Sequence, residues 1–172
     1  HMQEPYARKI LHAMGIPYFE LAPYEADDII GTFARMVEED EDFIGTIISS
    51  DRDLLQLVSP QLEMKLLKQK DYIRYDVESF QKDYGIEPIR IIDLKGLAGD
   101  SSDNIPGVRG IGEKTALNLL QTYGSLEGIY EHIDEIKGKT KEKLEQDRDN
   151  AFMSKEIATI YKEVPLEVKD LE

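Results

Sequence analysis

The sequence predicts an α/β fold with a partly parallel sheet, because strand-like apolar runs alternate with amphipathic helical patterns along the chain. The run from Phe43 to Ser49 is rich in β-branched residues and nearly free of polar ones, as expected for a strand buried on both faces. A strong helical pattern from about Glu25 to Glu39 precedes it, with apolar residues three and four apart. With 172 residues, the chain is long enough for about one domain with a substantial core.

The other elements follow from the same periodicities and from residues that begin or end helices. Gly15 ends the first helix, Asp76 caps a short helix that stops at Gly85, Pro88 begins the next one, and Ser125 caps a later one. In chain order, the predicted elements are a helix over 6–14, a strand over 16–21, the helix over 25–39, the strand over 43–49, strands over 62–67 and 72–75, a helix over 76–85, a helix from 88, and helices over 112–122, from 125 and over 141–160.

Composition narrows the classes of function. The chain has no cysteine, which excludes disulfides and thiolate metal sites. No apolar run approaches the roughly 20 residues that a membrane-spanning helix needs, so no membrane partner is predicted. The net charge of −14 at first argues against nucleic acid. However, residues 104–143 carry six basic and six acidic side chains, and a polyanion can bind this neutral stretch through backbone amides and metals.

Seven carboxylates in three short motifs are the strongest functional signal. They are Glu25, Asp27 and Asp28 in YEADD, Asp51 and Asp53 in SSDRDLLQL, and Asp100 and Asp103 in GDSSDNIPG. Each motif opens or closes a predicted element, which is where an α/β fold places a site. Crowded carboxylates repel one another unless a cation lies between them. Ligand sets made only of oxygen suit Mg²⁺ or Mn²⁺, so the motifs predict a divalent metal site.

Each motif also has a purely structural interpretation. Acids at the start of the second helix complement its dipole, and on that helix Glu25 and Asp28 share a face while Asp27 points to the side. Asp51 can cap the helix that follows it, and the acids of the last motif can form Asx-turns. The residues favour the functional interpretation for Asp51 and leave Asp53 and the acids of YEADD open, whereas the Asx-turn interpretation is strong for Asp100 and Asp103 taken alone.

A glycine-rich hairpin follows the third motif, in IPGVRGIGEKTALNLL. Gly107, Gly110 and Gly112 permit a tight turn and close backbone approach, while Val108 and Ile111 anchor the turn. The helix that begins there presents free N–H groups to a phosphate. The alternative is an ordinary turn between two helices. A metal site beside a phosphate-binding turn indicates phosphodiester chemistry on nucleic acid.

The motifs YEADDIIGT, SSDRDLLQL, DLKGLAGDSSDNIPGVRGIGEKTALNLL and YGSLEGIYEHIDEIKGK together resemble the bacterial 5′–3′ exonuclease and flap endonuclease family. The resemblance is strongest to the 5′-nuclease domain of DNA polymerase I or a stand-alone bacterial relative. It implies a PIN-like α/β nuclease core followed by a helix–three-turn–helix (helix-hairpin-helix) DNA-binding subdomain. The implied divisions are the remainder of the core over 3–92, the DNA-binding subdomain over 93–135 and a C-terminal helical segment over 136–172.

The resemblance also implies the activity. It is a divalent-metal-dependent, structure-specific 5′–3′ exonuclease and flap endonuclease that removes primers and flaps in DNA replication and repair. Its implied cofactors are Mg²⁺ or Mn²⁺ in a two-metal site and K⁺ at the hairpin. Its implied partners are 5′-flap or junction DNA and a C-terminal polymerase in the parent chain, in a bacterial cytoplasm at the nucleoid.

Residue roles are carried over from the same resemblance. Glu25 and Asp27 would coordinate the catalytic metal, with Asp28 acting more indirectly. Asp51 would lie close to the metals. The implied catalytic set is Glu25, Asp27, Asp28, Asp51 and Asp53, and the metal-binding set adds Asp100 and Asp103, toward the second metal. The implied DNA-binding residues are Gly107, Val108, Arg109, Gly110, Ile111, Gly112, Lys114 and Thr115.

One departure from the family pattern affects the expected activity. The family begins with a strand that carries a metal-binding Asp, followed by an arch with basic residues, and neither is present in this sequence. The sequence is therefore expected to be an N-terminally truncated fragment whose cleavage is impaired or absent. Two alternatives are a non-catalytic duplex-DNA-binding module and a PIN-type ribonuclease, and the hairpin glycines favour the DNA-directed family over the ribonuclease.

Overall fold

Over residues 2–167, which it describes, the computed structural model contains eight α-helices, three strands and three short 3₁₀ helices. The α-helices are α1 (Glu4–Ala13), α2 (Ala26–Glu38), α3 (Val77–Tyr84), α4 (Ile91–Ala98), α5 (Glu113–Tyr123), α6 (Leu126–Glu131), α7 (Gly138–Gln146) and α8 (Arg148–Ala158). The strands are β1 (Gly45–Ser49), β2 (Leu62–Leu67) and β3 (Tyr72–Tyr75), and the 3₁₀ helices are Arg52–Leu57, Pro88–Arg90 and Ile133–Glu135. The end of the predicted C-terminal segment, 168–172, lies outside the described residues.

The sheet is partly parallel, as predicted. β1 pairs in parallel with β2, with Gly45 opposite Leu62, and β2 pairs antiparallel with β3, with Met64 opposite Tyr75. The strand order is β1-β2-β3. The carboxyl end of β1 leads directly to Asp51, which begins the first 3₁₀ helix.

The predicted strand over 16–21 is wrong, because these residues form no regular element. A strand needs a hydrogen-bonded neighbour, and none of the three described strands pairs with this segment. Ile16, Tyr18 and Phe19 stay more than 40% exposed. The ring of Phe19 contacts Phe33 of α2 edge to face, with the centroids 4.9 Å apart.

The expectation that β1 is buried on both faces is also wrong. Ile47 lies in the core with Ala34 of α2, whereas Ile44 and Ile48 are 85% and 62% exposed. Among the described residues, β1 is an edge strand of the sheet, with β2 as its one neighbour. The strand segment therefore contains more apolar residues than the described part of the chain buries.

The long helix predicted over 141–160 is divided in two at Asp147. This residue leaves the helical conformation, with φ −110° and ψ 26°, and its carboxylate accepts a hydrogen bond from the Arg109 N–H at 2.8 Å. The break lets α8 pack along α4, where Gly96 permits close approach. A Cβ at Gly96 would lie 3.0 Å from the Ala151 carbonyl oxygen. No helix in the described part of the chain is both long and apolar enough to cross a membrane.

An extended C-terminal strap, residues 159–167, crosses α2. The Thr32 hydroxyl accepts the Val164 N–H at 3.0 Å, and the Arg35 Nε donates to the Lys162 carbonyl at 2.8 Å. These bonds tie the strap to the helix that begins with the first acidic motif.

Candidate metal site and nucleic-acid interface

The acidic motifs converge on a single pocket of about 380 Å³. We call this the acid pocket, and its carboxylates are Glu25, Asp27, Asp28, Asp51, Asp53 and Asp103. The N-terminus of α2 supplies the first three, and the segment that follows β1 supplies the next two. Residues 157–160 close its other side. Fold topology thus gathers acids that are up to 78 positions apart in sequence, as Glu25 and Asp103 show.

Asp27 and Asp51 face each other in the pocket. Their carboxyl groups lie within hydrogen-bonding reach of each other. Burial raises the pKa of Asp27 to about 6, and the negative charges of Asp51, Asp53 and Glu25 act in the same direction. Ionising both groups therefore costs free energy unless a cation is bound between them.

Asp28 differs from its neighbours because both of its oxygens serve the backbone. Its Oδ2 accepts the Glu25 N–H at 3.2 Å, which caps α2, and its Oδ1 accepts the Tyr161 N–H at 3.3 Å from the C-terminal strap. The side chain thus fixes the start of α2 relative to the strap.

A second set of carboxylates lies beside the first and is formed by Asp53, Asp100 and Asp103. One ligand oxygen from each lies within 4.8 Å of the other two, which is close enough to hold a single ion. The Lys95 ammonium lies among them, 2.8 Å from Asp100 and 3.5 Å from Asp103, and it also contacts Asp53. Only 14% of the Lys95 side chain is exposed.

Charge and burial act in opposite directions within this second set. Burial raises the pKa of Asp53, although its hydrogen bond with Lys95 acts to lower it. Hydrogen bonds from Lys95 and Ser102 hold the pKa of Asp100 well below its usual range. Burial acts to lower the pKa of Lys95, but its bonds to Asp100 and Asp53 outweigh burial and raise that pKa. The ammonium and the Asp100 carboxylate therefore coexist as ions.

The structural interpretations of two motifs also hold in this structure. The Asp51 carboxylate accepts the Asp53 N–H at 2.9 Å and caps the 3₁₀ helix, and Asp100 accepts the Ser102 N–H at 2.9 Å in an Asx-turn. These local bonds orient the carboxylates without removing them from the cluster. Turn formation is thus compatible with a place in the acid pocket for Asp51 and in the second carboxylate set for Asp100.

The glycine hairpin, residues 107–112, is anchored to the core by its buried side chains and by hydrogen bonds to α4 and α8. Val108 and Ile111 are buried, and the Val108 N–H donates to the Leu97 carbonyl at 2.7 Å. The Gly107 N–H donates to the buried Ser154 hydroxyl of α8 at 2.9 Å. Gly107 has φ +61°, and a Cβ there would lie 2.7 Å from the Gly99 Cα, so only glycine fits.

The outer side of the hairpin faces solvent and leads into α5. Gly112 precedes the helix without a side-chain cap, and a Cβ at Gly112 would meet no atom within 4 Å. The first-turn N–H groups of α5 therefore have no side-chain cap, and the exposed side chains of Arg109, Lys114 and Thr115 lie near them in sequence. Such a helix start can bind a phosphate.

A second cavity, of about 430 Å³, extends from the acidic residues to the start of α5. Its lining runs from Asp51 and Asp53 past Lys95 to Glu113 in the first turn of α5. Arg52 lines the same cavity, with its guanidinium 5.7 Å from the centre of the Tyr84 ring. The acid pocket and the hairpin helix are therefore neighbours around one open space.

Two functional candidates were not singled out by sequence patterns. Lys95 is the one basic residue of α4, whose sequence IIDLKGLA is otherwise apolar except for Asp93. That isolation was the available signal. Lys143, in the lysine-rich turn, donates from its Nζ to the Gly110 carbonyl at 3.1 Å, and only the tertiary fold brings these residues together.

Comparison with known proteins gives a consistent result over the whole chain. A model described as the 5′–3′ exonuclease N-terminal resolvase-like domain matches residues 1–85, and one described as the 5′–3′ exonuclease C-terminal SAM fold matches residues 86–172. DNA polymerase I of Bacillus caldotenax is 50% identical and that of Bacillus subtilis is 48% identical, each over 169 residues and 96% of this chain. The chain spans 19% of the length of each of these relatives.

Solved structures show the same fold. The zinc-bound T5 5′-exonuclease superposes with a TM-score of 0.75 at 23% identity, over 91% of this chain and 58% of that one. The catalytic core of Rad2 in complex with DNA substrate superposes with a TM-score of 0.59 at 23% identity, over 95% of this chain and 55% of that one. The predicted fold class, an α/β 5′-nuclease core with a helical subdomain, is confirmed, as is the sequence resemblance.

Proposed function

Because this chain belongs to the 5′–3′ exonuclease family, we propose that it is the metal-dependent nuclease region of a bacterial DNA polymerase I or a close relative. Its substrates would be DNA 5′ ends and 5′ flaps, as in primer and flap removal. The observation that carries the proposal is the cavity of about 430 Å³ shared by the acid pocket and the start of α5. A DNA strand held at the hairpin would run past the carboxylates.

The donor set fits hard divalent cations, since it offers carboxylate oxygens and no sulfur or imidazole. Glu25, Asp27 and Asp51 would hold one Mg²⁺ or Mn²⁺ ion, and the set formed by Asp53, Asp100 and Asp103 would hold a second. Bound divalent ions supply an activated water and stabilise the leaving oxygen in phosphodiester hydrolysis.

The protein side chains would orient these donors. Asp27 and Asp51 lie within hydrogen-bonding reach of each other, which brings donor oxygens from two segments together in the acid pocket. Asp28 fixes the start of α2 through its backbone bonds, so that Glu25 and Asp27 keep their positions. Preorganisation of this kind reduces the reorganisation needed when substrate binds.

The hairpin would supply the grip on DNA. Its free N–H groups at the start of α5 and the exposed Arg109 and Lys114 suit phosphate contacts, which give affinity without sequence preference. We assign the nuclease core to 3–92, the DNA-binding subdomain to 93–135 and the C-terminal helical segment to 136–172. A K⁺ ion at the hairpin carbonyls, a following polymerase domain and a place at the bacterial nucleoid in the cytoplasm belong to the same proposal.

The direct test is a cleavage time course on 5′-flap DNA with Mg²⁺, Mn²⁺ or EDTA. Any cleavage by this chain should require the divalent ion and should fall by about 10²-fold or more in Asp27→Asn, because a charged metal ligand becomes a neutral amide. Asp134→Asn is the control, since this carboxylate is exposed and pairs only with Lys141 at 3.1 Å among the described ion pairs.

Cleavage that persists in EDTA, or that Asp27→Asn leaves at the wild-type rate, would overturn the metal-dependent assignment. Flap DNA that binds but is not cut by the wild-type chain would support the alternative of a duplex-binding module. Cutting of single-stranded RNA in preference to flap DNA would support the ribonuclease alternative.

A further inference from the structure

The two carboxylate sets differ in their basic partners. Among the described ion pairs, none involves Glu25, Asp27 or Asp51, whereas Lys95 pairs with all three members of the second set. A lysine on a helix thus provides a permanent positive charge on one side of the site and none on the other.

Lys95 is held in place rather than free to swing in solvent. It extends from α4, whose neighbours Leu94 and Leu97 are buried in the core, and its own side chain is 14% exposed. Its ammonium donates to Asp100 at 2.8 Å and lies 3.5 Å from Asp103. The ligand oxygens that could hold an ion are therefore the same groups that the ammonium contacts.

A divalent ion bound by Asp53, Asp100 and Asp103 would lie within a few ångströms of this ammonium. Like charges at that distance repel strongly in a partly buried setting. The ion must therefore displace the ammonium or share its ligands, and either outcome weakens binding. The set formed by Glu25, Asp27 and Asp51 carries no such competitor.

We propose that Lys95 is a positioning residue that acts as an internal counter-ion, weakening divalent-cation binding at Asp53, Asp100 and Asp103 relative to the set formed by Glu25, Asp27 and Asp51. The two subsites then fill at different concentrations of free metal. The second ion joins only when metal is abundant or when substrate phosphate adds negative charge. This inference rests on the proposed metal-dependent function.

The test is a Mn²⁺ titration of the metal-free chain, with free Mn²⁺ read by electron paramagnetic resonance. The wild type should show a tighter and a weaker class of site. Lys95→Gln removes the ammonium and keeps a polar side chain, so the weaker class should tighten by about tenfold or more while the tighter class changes little. Lys95→Arg keeps the charge and should bind as the wild type does.

Lys141→Gln is the matched control, because it removes the same charge from an exposed pair with Asp134. It should leave both classes unchanged. An equal tightening in Lys141→Gln, or none in Lys95→Gln, would overturn the inference while leaving the metal site itself intact. A wild type that binds no Mn²⁺ would instead overturn the proposed function and this inference with it.

Thermal stability with and without Mn²⁺ provides a second test of the proposal. Without metal, Lys95→Gln leaves three neighbouring carboxylates without a counter-ion, so it should be less stable than the wild type and should gain more stability from Mn²⁺. Circular dichroism melts with Mn²⁺ and with EDTA compare the two. A Lys95→Gln chain that stays unfolded even in Mn²⁺ would contradict the proposal, because a bound ion should replace the missing charge.

Discussion

The acid pocket borders a cavity that Glu113 of α5 also lines, and the glycine hairpin comes directly before α5, yet the pocket and the hairpin are stabilised in opposite ways. The pocket is built from side-chain charges that repel one another, and burial raises the pKa of Asp27 to about 6. The hairpin is built from backbone hydrogen bonds and positive φ angles, as at Gly107 and Gly110. The stability of the acid pocket should therefore depend on bound cations, whereas the stability of the hairpin should depend on its local backbone geometry.

The two regions also differ in what they can do without a ligand. The hairpin is complete as folded, since Val108 and Ile111 are buried and its inner N–H groups are bonded. The acid pocket gains its charge balance only when a cation is bound. Substitutions in the hairpin should therefore affect DNA binding, and substitutions in the acid pocket should affect metal binding and cleavage.

The largest expected effect concerns the hairpin backbone. In Gly107→Ala, the new Cβ would lie 2.7 Å from the Gly99 Cα at φ +61°, so we expect a loss of stability on the order of 3 kcal/mol. Gly124→Ala has a similar φ of +85° but open space around the Cβ, so it should lose only about 1 kcal/mol. Urea denaturation measures both. Equal losses would mean that close packing contributes nothing at Gly107.

The next effect concerns metal in the acid pocket. At a Mn²⁺ concentration about 100 times the dissociation constant, the wild type should gain about 2.7 kcal/mol of stability. The double variant Glu25→Gln with Asp51→Asn should lose that gain, because two negatively charged ligands of the first set become neutral amides. Thermal melts with Mn²⁺ and with EDTA test this. Equal stabilisation of the double variant and the wild type would show that the metal binds elsewhere.

A smaller effect concerns the grip on DNA. Gly110→Val would place a side chain against Lys143 at the outer side of the hairpin, so duplex affinity should fall about tenfold, equivalent to about 1.4 kcal/mol. Gly15→Val has the same kind of backbone strain, at φ +71°, far away on the N-terminal segment, and serves as the control. Fluorescence anisotropy in EDTA gives both constants. A folded Gly110→Val chain with wild-type affinity would remove the hairpin from the interface.

Salt and monovalent ions sharpen the same assignment. Binding through phosphates should weaken steeply with added salt and depend little on sequence. If carbonyls of the hairpin hold K⁺, then K⁺ should support binding better than Na⁺ at equal ionic strength. Identical affinities in the two salts would speak against an ion site at the hairpin.

The remaining effect is the pH dependence of metal-free stability. The folded-state pKa of Asp27, about 6, lies above the unfolded value near 4. Between these values the folded chain binds the proton that the unfolded chain has released, so this group makes stability fall as pH rises from about 4 to 6. Asp27→Asn should remove that part of the decline. Denaturation of the wild type and Asp27→Asn at pH 4.5 and 7.5 measures the change in the free energy of unfolding. An equal change in both proteins would contradict the raised pKa of Asp27.

Local sequence signals predicted most of the helix and strand ends that form the acid pocket and the hairpin. The start of α2, the end of β1 and the start of α5 follow from periodicity and caps, so Glu25, Asp51 and Gly112 could be assigned to the ends of elements without a structure. Motifs at the ends of elements then predicted that the acids would meet. Their mutual distances could not be predicted, because these depend on how α4 and the strap pack.

Failures of prediction arose where a residue depends on a distant partner. Residues 16–21 have the composition of a strand but no described neighbour to pair with. The break at Asp147 depends on its bond with Arg109, 38 positions away. Lys95 reads locally as one charge in an apolar helix, and its role follows only from the three carboxylates around it.

The most direct test of the account is single-turnover cleavage of 5′-flap DNA by Asp51→Asn in Mg²⁺, at protein concentrations that saturate the DNA. Asp51 lines both the acid pocket and the shared cavity but lies outside the hairpin. We expect the variant to bind the flap as tightly as the wild type while its cleavage rate constant falls by about 10²-fold or more. A wild-type rate constant, or a loss of rate that additional protein restores, would contradict the separation of metal chemistry from DNA binding.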